Sequence, residues 1–159
     1  SKCLNEKYSY KDNFPGAGAA GGLGYAFKNF LNAEIISGIE GVMKLIGLKD
    51  KLANSDIVIV GEGSMDKQSA YGKAPVGISK LAKSLGKTVY AITGVATQDA
   101  VSVFDKGIDA IFSAFKPENK PVSNELKNFA GKYLRATTKL LVEYMNSNID
   151  FENRIIYLK

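Results

Sequence analysis

The feature that most constrains the fold is an unbroken β-branched run, Asp56-Ile57-Val58-Ile59-Val60, closed by Gly61-Glu62-Gly63. A strand with one wet face alternates apolar and polar residues. A continuous apolar run belongs to a strand covered on both faces, as in parallel sheets. Two further runs, Thr88 to Thr93 and Ile108 to Ser113, follow at distances that leave room for helices. Between the first two runs, Pro75 stands where a first helical turn begins, and Ile78, Leu81, Ala82 and Leu85 mark one face before Gly86. Between the second and third, Gln98 to Lys106 reads as a short helix with Gly107 as its C-cap. A last helix starts near Ser123, and Leu126, Phe129, Ala130, Tyr133, Thr137, Leu140, Leu141 and Tyr144 fall on its buried face. This alternation predicts βαβ units, a parallel sheet and helices on both of its faces. Ligands of such sheets bind beyond the carboxyl ends of the strands. Here those ends are Gly61-Glu62-Gly63 and Gly94.

The upstream part has a different texture. Residues 1–14 are polar with scattered aromatics and read as an irregular lead-in. Pro15-Gly16-Ala17-Gly18-Ala19-Ala20-Gly21-Gly22-Leu23-Gly24 follows, with five glycines in nine residues. Tyr25 to Leu31 reads as a helix broken by Gly38, and a second helix through Val42, Leu45 and Ile46 stops near Gly47. Residues 15–149 are read as the α/β domain, and residues 150–159 as a tail of unassigned role or an edge strand.

Composition narrows the chemistry. The 159 residues suffice for one domain with a sizeable core. There is no histidine, which removes Ser-His-Asp triads, Cys-His pairs and histidine zinc sites together. Acid–base work falls to Asp, Glu, Lys or Tyr. The one cysteine, Cys3, forms no internal disulfide, and the expected compartment is a reducing one, the cytoplasm. No apolar run approaches a membrane span, and no secretory leader is expected. The net charge is +5, and between Lys116 and Lys139 six bases face two acids. That stretch reads as a solvated helix surface rather than a nucleic-acid face, because no stacking aromatics accompany the charges. A modest positive field also suits a small anionic substrate.

Two constellations could carry chemistry. Gly16, Gly18 and Gly21 satisfy G-x-G-x-x-G, but no apolar strand precedes them, as a nicotinamide fingerprint requires. A glycine loop entering a helix presents unpaired N–H groups to a phosphate or carboxylate, with Gly22 in the same turn. Tight packing against a neighbour is the other reading. The second constellation runs from Gly61 to Pro75. It gathers Glu62, Ser64, Asp66, Lys67, Gln68, Ser69 and Lys73 in one strand-end segment. Glu62 and Asp66 could hold Mg²⁺, which needs only one or two carboxylates beside substrate oxygens. Either could instead take a proton from a hydroxyl nucleophile. Lys73 could neutralise phosphate charge. This is no Walker A loop, because Lys67 stands where its first Gly belongs and no Ser or Thr follows Lys73. Thr93-Gly94 and Thr97-Gln98-Asp99 are lesser candidates for the same cleft.

These residues resemble bacterial glycerate kinases. The segment Pro15–Gly24 is similar to that family's P-G-A-G-A-A-G-G-x-G, and Ser55–Ser69 to its A-D-L-V-I-T-G-E-G-R-x-D-x-Q-[ST]. Gly72-Lys73-Ala74-Pro75-Val76-Gly77 resembles the G-K-x-P-x-G that follows, and Ala91–Gly94 and Gly107–Ser113 match later strands. The resemblance covers residues 15–145 in one order. It implies phosphoryl transfer from ATP, with Mg²⁺, to a hydroxyl of D-glycerate. The implied catalytic residues are Asp66, Glu62 and Lys73, with Asp66 and Glu62 as the Mg²⁺ ligands. The implied substrate or phosphate contacts are Gly16, Gly18, Gly21, Gly22, Gly61, Gly63, Ser64, Gln68 and Gly94. The implied fold is a three-layer, Rossmann-like α/β sheet, incomplete relative to the family's full fold. Ser64 replaces the family's usual Arg, leaving Lys67 or Lys73 to supply that cation. The family's upstream half is absent, so this chain is expected to form one wall of a cleft. The other wall would come from the missing half, or the exposed sheet edge would favour self-association. The residues also leave open a stand-alone nucleotide- or small-anion-binding module without catalysis.

Overall fold

The computed structural model describes residue 6 and residues 14–120, 123–147 and 153–158, and for 123–129 the backbone alone. Most of the expected lead-in, with Cys3, and much of the expected tail therefore lie outside the described residues, as do the side chains of Leu126 and Phe129. The chain divides into two compact units, Ser1–Gly41 and Val42–Lys159.

In the first unit, α1 is assigned over Ala19–Leu31, yet Ala20, Gly21 and Gly22 have φ of 49°, 69° and 104°. These left-handed values are tolerated by glycine and costly for other residues. The glycine loop thus persists to Gly22, and regular helix follows it. The helix ends at Asn32, whose left-handed conformation (φ 51°) caps it. Gly38 does not break this helix, as the sequence suggested. It opens the next one, α2 (Gly38–Leu45), where the Ser37 hydroxyl accepts from the Glu40 N–H at 3.2 Å. The boundary between the units falls inside α2.

The second unit is the sheet domain. A short α3 (Leu48–Ala53) leads into β1 (Ile57–Met65), a 3-10 turn (Lys67–Ala70), α4 (Ala74–Ser84) and β2 (Thr88–Ala96). A 3-10 segment (Gln98–Lys106), β3 (Ala110–Phe115), a turn at Pro117–Asn119, α5 (Ser123–Asn146) and β4 (Ile155–Tyr157) complete it. The four strands pair in the order β1-β2-β3-β4, every pair parallel. On one face, Val58, Val60, Val89, Ala91 and Ile111 pack with Val76 and Ala82 of α4 and with Val103. On the other, Ala110 and Phe112 pack with Leu141 of α5. There the rings of Tyr90, Phe112 and Tyr144 meet edge to face at 5.2–5.9 Å. Helices on both faces of a parallel sheet make the three layers that the sequence predicted.

Two local expectations change. Gly61 and Gly94 do not end their strands, which pair onward through Glu62–Thr93, Ser64–Val95 and Met65–Ala96. Glycine makes this possible, since a Cβ on Gly94 would lie 2.8 Å from the Gly63 carbonyl oxygen. Gln98–Lys106 is the expected short helix, of the 3-10 kind, with Gly107 as its left-handed C-cap. Ala130 of α5 is exposed, whereas Tyr133, Thr137, Leu140, Leu141 and Tyr144 are partly or fully buried as expected.

Part of the C-terminal segment is a strand. Ile111 donates its N–H to the Arg154 carbonyl at 2.8 Å. The Arg154 guanidinium donates to the carbonyls of Asp109 and Ile108, both at 2.6 Å, and lies 3.9 Å from the Phe104 ring centre. Asp109 is a structural clip: its carboxylate accepts from the Val89 N–H at 2.7 Å and from Lys83 at 2.6 Å. Among the described residues no helix is long and apolar enough to cross a membrane.

Candidate functional site

The carboxyl end of β1 places two carboxylates in the second unit. Glu62 lies on the strand, paired with Thr93 of β2. Asp66 follows the strand and caps the 3-10 turn. Its Oδ1 accepts from the Ser69 N–H at 3.0 Å and lies 3.3 Å from the Ser69 hydroxyl. The Asp66 N–H donates back to Ser69 Oγ at 3.2 Å. This reciprocal cap satisfies donors that a helical first turn otherwise leaves unpaired.

Lys73 joins the two carboxylates. It precedes the first residue of α4, and its Nζ lies 3.4 Å from Glu62 Oε1 and 3.3 Å from Ser69 Oγ. One connected chain therefore runs Glu62–Lys73–Ser69–Asp66. Ser69 is fully buried, while the side chains of Glu62 and Lys73 keep 23% and 39% of their exposure. The chain is thus anchored inside and open outside. Among the described residues, Glu62 Oε2 is buried and has no hydrogen-bond partner. A buried polar atom without a partner is costly, and here it is an acceptor awaiting a cation or a donor.

Other expected residues surround this chain without joining it. Ser64, Lys67 and Gln68 are exposed. Gly61, Glu62, Thr93 and Gly94 line a groove of about 380 Å³ whose remaining walls are mostly apolar, among them Ile59, Ile92 and Leu134. Thr93 spends its hydroxyl on the Val95 carbonyl at 3.0 Å. The Thr97 hydroxyl contacts the Asp99 carboxylate and the Met65 carbonyl, as a turn residue does. Ser69 was quoted in the sequence motif but given no role. Its signal was present as Asp-x-x-Ser, the spacing of a reciprocal cap.

The glycine loop belongs to the first unit, and its glycines divide by surroundings. A Cβ at Gly24 would lie 2.0 Å from the Gly16 carbonyl oxygen, and one at Gly16 would lie 2.7 Å from Ile35. Both positions therefore serve packing. At Gly18, Gly21 and Gly22 a Cβ would meet nothing within 4 Å. There the backbone is open to an approaching ligand.

Among the described residues no three Asp, Glu, Cys or His side chains cluster as a self-sufficient metal cage. Mg²⁺ does not require one, because it takes one or two carboxylates plus waters and substrate phosphates. The buried Glu62 Oε2 is one acceptor that fits that smaller demand.

A parallel sheet with helices on both faces places the second unit among the α/β proteins. Comparison specifies it further: residues 1–146 match the glycerate kinase family, and the chain belongs to that family. It is 46% identical over 101 residues to a glycerate kinase of Halalkalibacterium halodurans, covering 64% of this chain and 27% of that one. It is 48% identical over 99 residues to glycerate 2-kinase of Escherichia coli, covering 62% of this chain and 26% of that one. A crystal structure assigned as glycerate kinase 2 from Salmonella typhimurium LT2 superposes with a TM-score of 0.60 at 34% identity, covering 82% of this chain and 32% of that one. The chain thus spans about a quarter to a third of the length of these relatives.

Proposed function

We propose that this chain supplies one wall of an active site that transfers the terminal phosphoryl group of ATP to a hydroxyl of D-glycerate. The observation that carries this reading is the Glu62–Lys73–Ser69–Asp66 chain, which leaves two carboxylate oxygens free at the end of a parallel strand. Phosphoryl transfer needs little covalent help from a protein. It needs positioning and compensation of charge.

Asp66 accepts the proton of the attacking hydroxyl on the carboxylate oxygen that the Ser69 amide does not occupy. Lys73 offsets the negative charge that gathers on the transferring group. In the first unit, Gly18, Gly21 and Gly22 offer an open stretch of backbone to an anion such as a carboxylate or a phosphate. Gly61 and Gly63 leave β1 without side chains on either side of Glu62, so that substrate can approach the backbone, and Ser64 and Gln68 offer polar contacts at the rim. Mg²⁺, when held by Glu62, would neutralise phosphate oxygens. The opposite wall comes from the upstream part that the longer relatives carry, or from a second copy.

The test is a hybrid of the Escherichia coli relative in which this chain replaces the matching segment. Asp66→Asn should lower its turnover about a hundredfold, the scale of lost acid–base help. Near-normal turnover would remove Asp66 from the chemistry.

A further inference from the structure

Ser69 is fully buried, and its hydroxyl touches three groups: the Asp66 N–H, Asp66 Oδ1 and Lys73 Nζ. A serine hydroxyl has one proton to give and two lone pairs to receive with. A backbone N–H can only donate, and so can an ammonium. Both lone pairs are therefore taken, and the single proton must point to Asp66 Oδ1. The direction of every bond is fixed by elimination: Lys73 gives to Ser69, and Ser69 gives to Asp66.

We propose that Ser69 is a positioning residue that couples Lys73 to Asp66, locking the Asp66 carboxylate so that one oxygen is spent on the protein and the other is presented to the substrate hydroxyl. This rests on the reading of the site as a phosphoryl-transfer centre. The link accounts for a lysine held between two carboxylates when a direct ion pair with Glu62 would satisfy simple charge balance. Through Ser69 the same cation also steadies the second acid. Ser69→Ala removes the hydroxyl that Lys73 and Asp66 share, whereas Ser69→Thr keeps it.

Two measurements test it. The first is acylation of lysines in the 159-residue chain by an N-hydroxysuccinimide ester, quantified by peptide mass spectrometry. Lys73 in Ser69→Ala should label several-fold faster relative to the exposed Lys67, since loss of a hydrogen bond to a charged group changes an equilibrium about tenfold or less at a partly exposed site. In Ser69→Thr it should label as in the parent. The second is kinetics of the hybrid enzyme. Ser69→Ala should lower kcat about tenfold while KM for ATP and D-glycerate stays put, and Thr should restore it. A lost cap alone would lower the melting temperature without changing Lys73 labelling relative to Lys67. Unchanged labelling in Ser69→Ala therefore overturns the coupling. So does a Thr variant that behaves as the Ala variant while retaining the parent's melting temperature. Labelling needs no turnover, so a hybrid silent toward glycerate would count against the kinase reading and leave the link to be judged by Lys73 alone.

Discussion

At the residue scale, Gly94 and Gly63 separate two meanings of glycine. A Cβ at Gly94 would strike the Gly63 carbonyl at 2.8 Å, whereas one at Gly63 would meet nothing within 4 Å. Gly94→Ala should therefore destabilise the chain by about 1–3 kcal/mol, the usual cost of overpacking against backbone that cannot withdraw. Gly63→Ala should not destabilise it. Urea unfolding midpoints check both, and equal midpoints would contradict the close approach. The sequence reading took these glycines as strand ends because glycine ordinarily interrupts strands. The close approach of two neighbouring strands is a tertiary fact that no local pattern carries. The polar residues of the site were legible as a crowd on one segment. Which of them touch was not, apart from the Asp66/Ser69 cap spacing.

At the element scale, the expected strands and the helices beginning at Pro75 and Ser123 are present because period and length distinguish them strongly. Two elements escaped the sequence reading or were left undecided. Leu48–Ala53 spans six residues and Ile155–Tyr157 three, too short for either to show a period. β4 is instead held by contacts distant in sequence, including the Tyr157 hydroxyl donating to the Ala96 carbonyl at 3.1 Å. The docking of α5 on the sheet has its own signature. Tyr90 lies between Phe112 and Tyr144, and burial first, then the neighbouring Tyr144 and Asp109, raise its pKa above the ordinary 10.0. A phenol with a raised folded pKa favours the protonated fold. Its contribution is complete below the unfolded value and disappears as pH climbs through the folded one. Thermal unfolding followed from neutral pH to above 10.0 should show an alkaline loss of stability that is smaller in Tyr90→Phe. Identical alkaline profiles would show that Tyr90 does not report this packing.

At the scale of the whole molecule, the sheet has an uneven cover. α5 lies over β2 and β3, and Ile59 on the edge strand β1 remains 54% exposed beside the groove that leads to Glu62. The six basic residues between Lys116 and Lys139 were expected to be a solvated surface, and the described ones among them, Lys116, Lys120, Lys132, Arg135 and Lys139, are exposed. Lys139 pairs with Glu143 one helical turn on, at 3.7 Å. The most direct test of the central claim is ADP release from Mg-ATP by the Escherichia coli hybrid, with and without D-glycerate. The account predicts release that depends on D-glycerate and falls in Asp66→Asn. A folded hybrid that binds ATP yet releases ADP equally with and without D-glycerate would contradict it.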